Sequence, residues 1–246
     1  MPPRPSRLRT NHLLSRIPAR DLRSLIVRGD SVPLTLFEDL QASGAPIRCV
    51  LFPTSGFISV LAPVDEGRCM EIGLVGDEGV LGASLALDVG AAPASALVQG
   101  TGTALRIATG PFLEVLASSA ALRSVLHRYL YVGMCQLAQA AVCTRFHVVE
   151  ERLAKWLLVT RDRGHSKDFH LTHEFLASML GVRRAGVTRA AGTLQDRNLI
   201  EYRRGDISIT DRRGLERAAC VCYATDKRAY SSALGDPGAP AAQSVR

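Results

Sequence analysis

Three arginines, at positions 183, 184 and 189, lie in the segment LGVRRAGVTRAAGTL (180–194), which has helical spacing and no acidic residue. The start of a helix carries a partial positive charge and unpaired N–H groups, so Ser, Thr or Asp is preferred there and arginine lowers stability. Guanidinium groups, however, bind phosphates and guanine edges through paired hydrogen bonds. The segment therefore indicates an anionic partner. The alternative, an ordinary solvated surface, is disfavoured by the position of the arginines at the helix start.

The same segment completes a pattern typical of a helix-turn-helix over residues 172–194. Thr172 is a good N-cap, Glu174 follows in the first turn, and Gly181 occupies the turn, where a positive φ is usual. Ala177 lies where the two helices would cross and a larger side chain would clash. The apolar positions that would close both helices over one core are Leu176, Leu180, Val182, Val187 and Ala190.

A β-hairpin is predicted directly after the second helix. In NLIEYRRGDISITD (198–211), apolar Ile200 and Tyr202 alternate with polar residues before the turn Arg204-Gly205, and Ile207 and Ile209 alternate after it. A hairpin in this position is a wing. A closing helix over RRGLERAACVCY (212–223) is expected to follow.

A winged helix-turn-helix places the N-terminal end of its second helix in the major groove of DNA. Arg184 and Arg189, about one helical turn apart, are predicted to read base edges, while Arg183 and the wing lie nearer the phosphates. Thr188 shares the exposed face of this helix. The candidate DNA-binding residues are therefore Arg183, Arg184, Thr188, Arg189, Arg203 and Arg204.

The composition agrees with a globular protein that binds a polyanion. The chain of 246 residues is 47% hydrophobic and 22% charged, which excludes a largely disordered chain, and its net charge is +7. The most apolar stretch (129–143) is shorter than the ~20 residues that span a membrane. The first 20 residues lack the apolar core of a secretory signal. We therefore expect a cytoplasmic protein with no membrane partner.

Residues 31–107 have the pattern of an all-β domain. Short apolar runs alternate with Gly, Pro and Asp, as expected for regularly spaced strands in a β-sandwich or barrel. Glycine recurs at every third position from Gly73 to Gly82, which favours tight corners of a β-roll and a loop that approaches a small ligand. Residues 1–20 are predicted to be a flexible arm that leads into a short helix at 19–27.

A long helix without proline is predicted for residues 120–145, and it is apolar on two faces. One face carries Leu126, Leu130, Gly133, Leu137 and Ala141, and the other carries Val125, Tyr129 and Val132. A helix with two apolar faces must be covered on both. One face is expected to pack on the β-roll, and the other on the same helix of a second subunit. The alternative is a helix buried within one large monomer.

These features together resemble the Crp/Fnr family of bacterial transcription regulators. The segment LTHEFLASMLGVRRAGVTRAAGTLQDRNLIEYRRGDISITDRRGLE looks like the winged helix of the family, and FPTSGFIS and GLVGDEGVLGASLAL resemble its cyclic-nucleotide-binding-like β-roll. The likeness covers roughly residues 20–225, with the parts in the order of the family.

The resemblance implies an α+β protein. Its expected parts are an N-terminal β-roll effector domain of double-stranded β-helix type (20–118), a dimerisation helix (119–146), a C-terminal winged helix-turn-helix domain (147–230) and a disordered tail (231–246). It also implies a homodimer that binds a two-fold symmetric operator in double-stranded DNA and contacts RNA polymerase.

Two departures from the family pattern concern the effector and the operator. Cyclic-nucleotide binders in the family have Gly-Glu-Leu and then a loop with Arg before Ser/Thr-Ala, whereas this chain has Gly-Ala-Ser at 82–84 and Pro-Ala-Ser-Ala at 93–96. Without the carboxylate and the arginine, binding of cyclic AMP is not expected. Many members have Arg-Glu where this chain has Arg184-Ala185, so its preferred half-site is expected to differ. No cofactor is predicted, and the effector is unknown.

The six cysteines are expected to be free thiols that behave as small buried apolar residues. None precedes Cys49, whereas iron–sulfur members of the family use an N-terminal cysteine cluster. No CxxC pair occurs, and Cys220 and Cys222 are too close for an ordinary zinc knuckle. A thiol redox switch is the alternative.

An enzyme is the first rival class, but the chain lacks P-loop, GxSxG, HExxH and GxGxxG motifs. A metal site is an alternative for three histidines that lie close together in the sequence, His165, His170 and His173. No carboxylate lies at a spacing that would complete the ligand set of such a site. No metal and no catalytic residue are therefore predicted. The second rival is a small-molecule or redox sensor whose C-terminal domain does not bind DNA. The second helix of the helix-turn-helix begins with arginines and has no acidic residue before Asp196, and this favours a sequence-specific DNA-binding regulator over both rivals.

Overall fold

The computed structural model describes residues 11–65 and 68–236. Its N-terminal half contains α1 (His12–Ser15), α2 (Ala19–Val27), β1 (Gly29–Leu34), β2 (Asp39–Gln41), β3 (Cys49–Asp65), β4 (Arg68–Val75), a 3-10 turn (Ala83–Leu87) and β5 (Ser95–Ala108). Its C-terminal half contains α3 (Thr109–Ser118), α4 (Ala120–Phe146), α5 (Val149–Gly164), β6 (Asp168–His170), α6 (His173–Leu180), α7 (Arg184–Asp196), β7 (Ile200–Arg203), β8 (Asp206–Ile209), α8 (Arg212–Ala218) and α9 (Cys222–Leu234). The predicted α+β class is confirmed. In these ranges no helix is both long enough and apolar enough to cross a membrane.

The N-terminal domain is a 5-stranded antiparallel sheet in which β5 pairs with β1, β2 and β3. The strands are longer than the short runs in the sequence suggested, with 17 residues in β3 and 14 in β5. Shifts of register around Ser55 and Phe57 let β3 bend while it stays paired with β5. At the bend Gly56 has φ +72°, and a Cβ there would lie 2.4 Å from the Gly100 carbonyl oxygen. The bent strands enclose an apolar cluster, as the predicted β-roll requires.

The glycines at every third position have a different role from the one predicted. Of the four, Gly82 alone has a positive φ. A Cβ at Gly76 would lie 2.8 Å from the Arg163 Cβ, and one at Gly79 would lie 2.5 Å from the Tyr129 hydroxyl. These two glycines make room for side chains of α4 and α5 and not for a small ligand.

The predicted flexible arm is wrong from Asn11 onward. Leu13 and Leu14 in α1 are 1% and 0% exposed and pack in the main apolar cluster of the β-roll. Asn11 caps α1 and donates to the carbonyl oxygens of Pro53 and Gly79. Burial of the two leucines fixes this segment on the domain. Residues 1–10 of the predicted arm lie outside the described ranges.

Helix α4 leaves the β-roll about half way along its length. Val125, Leu126 and Val132 are at most 1% exposed, and Leu130 packs against the same cluster. The second half of α4 exposes an apolar stripe made of Tyr131 (60%), Met134 (69%), Leu137 (48%) and Val142 (45%). The predicted assignment of one face to the roll and the other to a second subunit is wrong for the first half of α4, because Leu126 from one face and Val132 from the other both pack in the roll.

Helix α9 packs beside α4 and ends in the core of the N-terminal domain. Tyr230 and Leu234 are 6% and 4% exposed in the apolar cluster of the β-roll. The predicted disordered tail is therefore wrong over 231–234, where these contacts extend the helix; 237–246 lies outside the described residues. The predicted closing helix at 212–223 is also interrupted, because the backbone at Ala219 is extended and separates α8 from α9.

The C-terminal domain packs α7 and α8 against α5, and α6 against α7 and against β4 of the β-roll. Its apolar cluster includes Leu157, Leu176, Val187 and Leu194 and extends to Leu61 of the β-roll. The domain also contains β6, which pairs with β8 and was not predicted. This strand has only three residues and no buried apolar alternation, so the sequence carries little signal for it.

Candidate nucleic-acid interface

The predicted cap residues fix both ends of α6. The Thr172 side-chain oxygen accepts a hydrogen bond from the Phe175 backbone N–H at 3.2 Å, and Gly181 ends the helix with φ +62°. A side chain at Gly181 would be strained at this φ and would meet the Met70 sulfur at 2.8 Å. Ala177, at the predicted crossing of the helices, is 6% exposed. The turn thus sets the direction in which α7 begins.

Helix α7 begins at the paired arginines, as predicted. Arg183 is its N-cap and makes no side-chain capping bond, and Arg184 is the first helical residue. The first turn contains no acidic residue, so both guanidinium groups lie at the positive end of the helix dipole. The helix buries Val187, Ala190, Ala191 and Leu194, whereas Arg183, Arg184, Thr188 and Arg189 are exposed.

The wing is the hairpin of β7 and β8, and its tip carries two exposed arginines. Arg203 pairs with Asp206 in register, which leaves Arg204 and Gly205 as a two-residue turn. Both turn residues have positive φ, +52° and +96°, as tight hairpin turns require. For Arg204 this backbone costs roughly 1–2 kcal/mol relative to the right-handed region, so stability does not explain an arginine at this position.

We call Arg183, Arg184, Arg189, Arg203 and Arg204 the arginine surface. Within the ranges that the structure describes, these five guanidinium groups form no hydrogen bond and no ion pair. Other arginines of the same domain are paired: Arg197 lies 2.7 Å from Glu150, and Arg212 lies 2.8 Å from Asp162. The five guanidinium groups of the arginine surface therefore keep their hydrogen-bond donors free for a partner.

A stacked His–Tyr pair joins α6 to the wing and was not predicted. The ring centroids of His173 and Tyr202 lie 4.3 Å apart, with an angle of 12° between the planes. The Thr188 hydroxyl lies 3.0 Å from His173 Nδ1 and donates to the Arg184 carbonyl oxygen at 3.1 Å. Burial lowers the pKa of His173, and the positive charge of Arg184 lowers it further. No spacing along the chain signals these contacts, because they join three separate elements.

These contacts give Thr188 a role inside the protein. Its hydroxyl is bonded to α6 and to its own helix, although the residue is exposed. A contact from Thr188 to DNA therefore stays a prediction, and the arginine surface holds the free donors of the site.

The three histidines considered for a metal site have separate partners. His165 Nε2 lies 2.9 Å from Asp77 Oδ2, and His170 Nδ1 lies 2.7 Å from Asp206 Oδ1. His173 is engaged with Thr188 and the wing. These rings are held by different elements, so the geometry does not support a shared metal site among them.

Small apolar side chains occupy the segments that correspond to the cyclic-nucleotide cassette. Gly82 precedes the 3-10 turn with φ +93°, and Ala83 and Ala94 are 8% and 1% exposed. Ala96 and Val98, further along the same segment, belong to the apolar cluster inside the roll. Alanine offers no group that can pair with a phosphate or a ribose hydroxyl.

The C-terminal domain matches a known family model. Residues 151–218 match the Crp-like helix-turn-helix domain, a range that includes α6, α7 and the wing. A comparison with curated protein sequences gives no significant match. The predicted helix-turn-helix is therefore confirmed as a Crp-like domain.

Several solved structures share the fold over more than three quarters of this chain. A Crp/Fnr family transcriptional regulator from Thermus thermophilus is 20% identical with a TM-score of 0.64, covering 77% of this chain and 98% of that chain. FixK2 from Bradyrhizobium japonicum is 13% identical with a TM-score of 0.66, covering 78% and 98%. CLP from Xanthomonas campestris, described as a c-di-GMP responsive global regulator, is 15% identical with a TM-score of 0.64, covering 78% and 99%. The resemblance to the Crp/Fnr family is confirmed in the fold and in the C-terminal domain.

Proposed function

We propose that this protein, with its Crp/Fnr fold and Crp-like helix-turn-helix, regulates transcription by binding a specific DNA sequence as a homodimer. One observation carries the proposal. The arginine surface combines the exposed start of a recognition helix with the tip of a wing, and its five guanidinium groups are unpaired within the described chain. In winged helix-turn-helix proteins these are the places that meet the major groove and the adjacent backbone.

The position of each arginine supports a division of roles. Arg184 and Arg189 lie on α7 within its first two turns, where side chains can reach base edges in the major groove. Arg183 precedes the helix, and Arg203 and Arg204 lie at the wing, so these three are better placed for phosphates. The proposed operator therefore depends on Arg184 and Arg189 for sequence and on the other three for affinity.

The exposed half of α4 supports the homodimer. Its apolar stripe, Tyr131, Met134, Leu137 and Val142, is between 45% and 69% exposed. Beside it lies a cleft of about 1750 Å³ lined in part by Leu137, Ala141 and Leu74. A helix is ~10 Å across, so this volume is comparable with roughly four turns of helix from a second copy. A dimer of this kind would present two recognition helices to a two-fold symmetric operator.

The proposal also concerns the effector. Ala83 and Ala94 lie where a cyclic nucleotide would need a carboxylate and an arginine, so cyclic AMP and cyclic GMP are not proposed as effectors. The name of CLP shows that a protein with this fold is described as responding to a different nucleotide. Calorimetry on the purified protein is expected to give no heat of binding at micromolar concentrations of either cyclic nucleotide. A micromolar dissociation constant for either would contradict this part of the proposal.

The remaining parts of the proposal follow from the role in transcription. They are a cytoplasmic location, contact with RNA polymerase at the promoter, and no enzymatic activity. The sequence motifs of common enzyme classes are not in the chain, which supports the last part.

The experiment that tests the function directly is a DNA-binding titration by fluorescence anisotropy across a range of salt concentrations. The wild-type protein is expected to bind genomic duplex DNA with a strongly salt-dependent affinity, because each neutralised phosphate adds about 0.9 to the slope of log K against log salt. A variant with all five arginines of the arginine surface replaced by Ala is expected to lose this binding.

A matched control keeps the test specific. Replacing Arg20, Arg23, Arg123, Arg128 and Arg161, which lie on α2, α4 and α5 outside the arginine surface, removes the same number of charges and is expected to leave most of the binding intact. Equal losses in both variants would show that only the overall charge matters. If the wild type does not bind DNA, the proposal is rejected. The alternative function, a small-molecule or redox sensor whose C-terminal domain does not bind DNA, would then be favoured.

A further inference from the structure

Four potential metal ligands converge where the end of α4 meets the break between α8 and α9. Cys143 comes from the last turn of α4, His147 follows that helix, and Cys220 and Cys222 come from the break. One ligand atom from each residue can be chosen so that all four atoms lie within 4.8 Å of one another. Two of these residues lie more than 70 positions from the other two along the chain, so the fold and not the local spacing brings them together.

The distances inside this cluster match a tetrahedral site. The sulfur atoms of Cys143 and Cys220 lie 3.5 Å apart, and the Cys222 sulfur lies 3.4 Å from His147 Nδ1. With Zn–S bonds of about 2.3 Å and Zn–N bonds of about 2.0 Å, the edges of a regular tetrahedron are about 3.5 to 3.8 Å. A single ion therefore needs only small movements of these side chains. A polynuclear iron–sulfur cluster would force the sulfur atoms further apart.

The surroundings suit a structural metal. Cys143, Cys220 and Cys222 are 6%, 5% and 0% exposed, so water has little access to the sulfur atoms. Gln139 Nε2 donates to the Cys222 sulfur at 3.0 Å, the kind of contact that orients a thiolate ligand and spreads its charge.

The charge of the occupied site follows from its four ligands. Three thiolates and a neutral imidazole around a divalent cation would leave one net negative charge, and the neighbouring Lys155 is paired with Asp226 at 2.6 Å.

We propose that Cys143, His147, Cys220 and Cys222 bind one divalent metal ion of the zinc class. Four protein ligands complete a tetrahedral shell, which is typical of structural and not of catalytic sites. Binding releases the three thiol protons to solvent, so the affinity falls as the pH is lowered. The interpretation of these cysteines as separate apolar thiols is replaced by this one, because the sequence showed only the Cys220–Cys222 spacing and not the two distant ligands.

The site joins two parts of the molecule. Cys143 belongs to α4, which carries the exposed apolar stripe, and Cys220 and Cys222 belong to the C-terminal domain. His147 lies between α4 and α5, at the joint of the two parts. A bound ion therefore fixes the C-terminal domain to α4 and holds the joint in one geometry. Metal binding itself does not depend on the proposed DNA binding and can be tested separately.

The test measures metal content and a spectroscopic signature on the full-length protein. Protein purified under reducing conditions without chelators is expected to contain one zinc-class ion per chain by plasma mass spectrometry. After removal of that ion, Co²⁺ is expected to give the visible bands of tetrahedral cobalt and the near-ultraviolet charge-transfer band of thiolate ligands. Cys143→Ser and Cys222→Ser are expected to lower the metal-to-protein ratio close to zero.

The controls separate this site from the other cysteines. Cys49→Ser and Cys135→Ser change cysteines outside the cluster and are expected to keep one ion per chain. If the cluster variants fail to fold, titration of wild-type thiols with a mercurial reagent is expected to release the ion in step with the last three thiols to react, because Cys49, Cys69 and Cys135 are more exposed than the three ligands.

Three results would overturn the proposal. The first is reduced wild-type protein that holds no ion and shows no charge-transfer band with Co²⁺. The second is metal content unchanged by Cys143→Ser and Cys222→Ser. The third is a Cys143–Cys220 disulfide in protein prepared under reducing conditions, detected by mass spectrometry of peptides.

Discussion

At the scale of single residues, Glu71 is a carboxyl group whose pKa is raised by burial. It lies on β4 and faces α5, where its oxygens accept hydrogen bonds from the Ser59 hydroxyl and from Trp156 Nε1, both at 2.7 Å. Burial raises the pKa of Glu71 to about 7, against the opposing effect of these two hydrogen bonds. The folded protein therefore holds the Glu71 proton up to a pH at which the unfolded chain has already lost it.

This raised pKa predicts how stability depends on pH. The pKa of Glu71 is about 4.3 in the unfolded chain, the ordinary value for Glu, and about 7 in the folded protein. Between these two pH values the folded state binds more protons than the unfolded state, so the free energy of unfolding falls as the pH rises. Glu71→Gln can accept from Trp156 through its amide oxygen and donate to the Ser59 hydroxyl oxygen through its amide nitrogen, without a charge. It is expected to be more stable than the wild type at pH 8 by roughly 1 to 3 kcal/mol, since one pKa unit corresponds to ~1.4 kcal/mol and the site is partly solvated.

Urea denaturation at several pH values checks this prediction. The advantage of Glu71→Gln is expected to shrink toward pH 4.5, whereas the control Glu114→Gln, at a side chain 70% exposed, is expected to change little at any pH. A stability difference for Glu71→Gln that stays constant from pH 4.5 to 8 would show that Glu71 does not titrate in this window.

The arginine surface predicts two kinds of DNA-binding defect. Arg184→Ala or Arg189→Ala is expected to cost ~1–3 kcal/mol and to flatten the preference at one base pair. Arg203→Ala or Arg204→Ala is expected to weaken all sequences about equally and to reduce the salt slope by about 0.9 for each lost phosphate contact. Titrations on single-base variants of a selected operator distinguish these outcomes. A uniform loss over all base variants for Arg184→Ala and Arg189→Ala would argue against base reading but not against DNA binding.

The arginines were predictable because an unfavourable residue at a helix start is visible in the sequence. The His173–Tyr202 stack, the Glu71–Trp156 contact and the cysteine cluster were not, because each joins residues from elements that only the tertiary structure brings together. The local sequence pattern shows where hydrogen-bond donors lie along the chain, but it does not show which residues they contact in the folded protein.

At the scale of elements, the exposed half of α4 leads to the prediction on oligomeric state. Met134→Glu and Leu137→Glu place a charge on residues that are 69% and 48% exposed, so the fold of the monomer is expected to tolerate them. A charge buried in a helix–helix interface lacks a partner, and dimer formation is expected to weaken at least tenfold, which corresponds to about 1.4 kcal/mol. Sedimentation velocity over a range of concentrations measures this change.

The matched control for this prediction is Val27→Glu, which adds the same charge at a residue that is 82% exposed and lies at the end of α2, outside the apolar stripe of α4. It is expected to leave the sedimentation behaviour unchanged. Dimers of undiminished stability in both α4 variants, or a wild type that is monomeric at all concentrations, would exclude α4 as the dimer interface.

Elements with strong local signals were predictable in position. The short helix at 19–27, the helix-turn-helix and the wing agree with the sequence patterns almost to the residue. The failures are elements fixed by distant contacts. α1 is held by burial of Leu13 and Leu14 on the roll, and the end of α9 is held by Tyr230 and Leu234 in the same core. The spacing of apolar residues along the chain does not reveal either contact.

At the scale of the whole molecule, the C-terminal domain rests on the β-roll through an ion pair at the junction. Arg163 Nε on α5 lies 2.7 Å from Glu78 Oε1, and the two side chains are 14% and 12% exposed. The second oxygen of Glu78 is buried without a hydrogen-bond partner among the described residues. A pair with so little solvent is costly to break, because the remaining charge stays desolvated.

Arg163→Met is therefore expected to destabilise the protein by about 3 to 5 kcal/mol, and Arg163→Met combined with Glu78→Met is expected to recover part of this loss. The control Arg68→Met breaks the exposed pair with Asp65 and is expected to change the stability much less, because water screens this pair. Urea denaturation of the four proteins measures these differences. Similar small losses for Arg163→Met and Arg68→Met would mean that the junction is hydrated in solution.

The central claim is that this molecule reads a DNA sequence with two copies of α7. In vitro selection from a random duplex pool tests it most directly, with the wild type and the Arg184→Ala/Arg189→Ala variant selected side by side. The wild type is predicted to enrich a two-fold symmetric site with half-site centres about one helical turn (~34 Å) or a multiple of it apart, and the variant is predicted to lose this enrichment. A wild-type pool with no sequence enriched over the input would contradict the account.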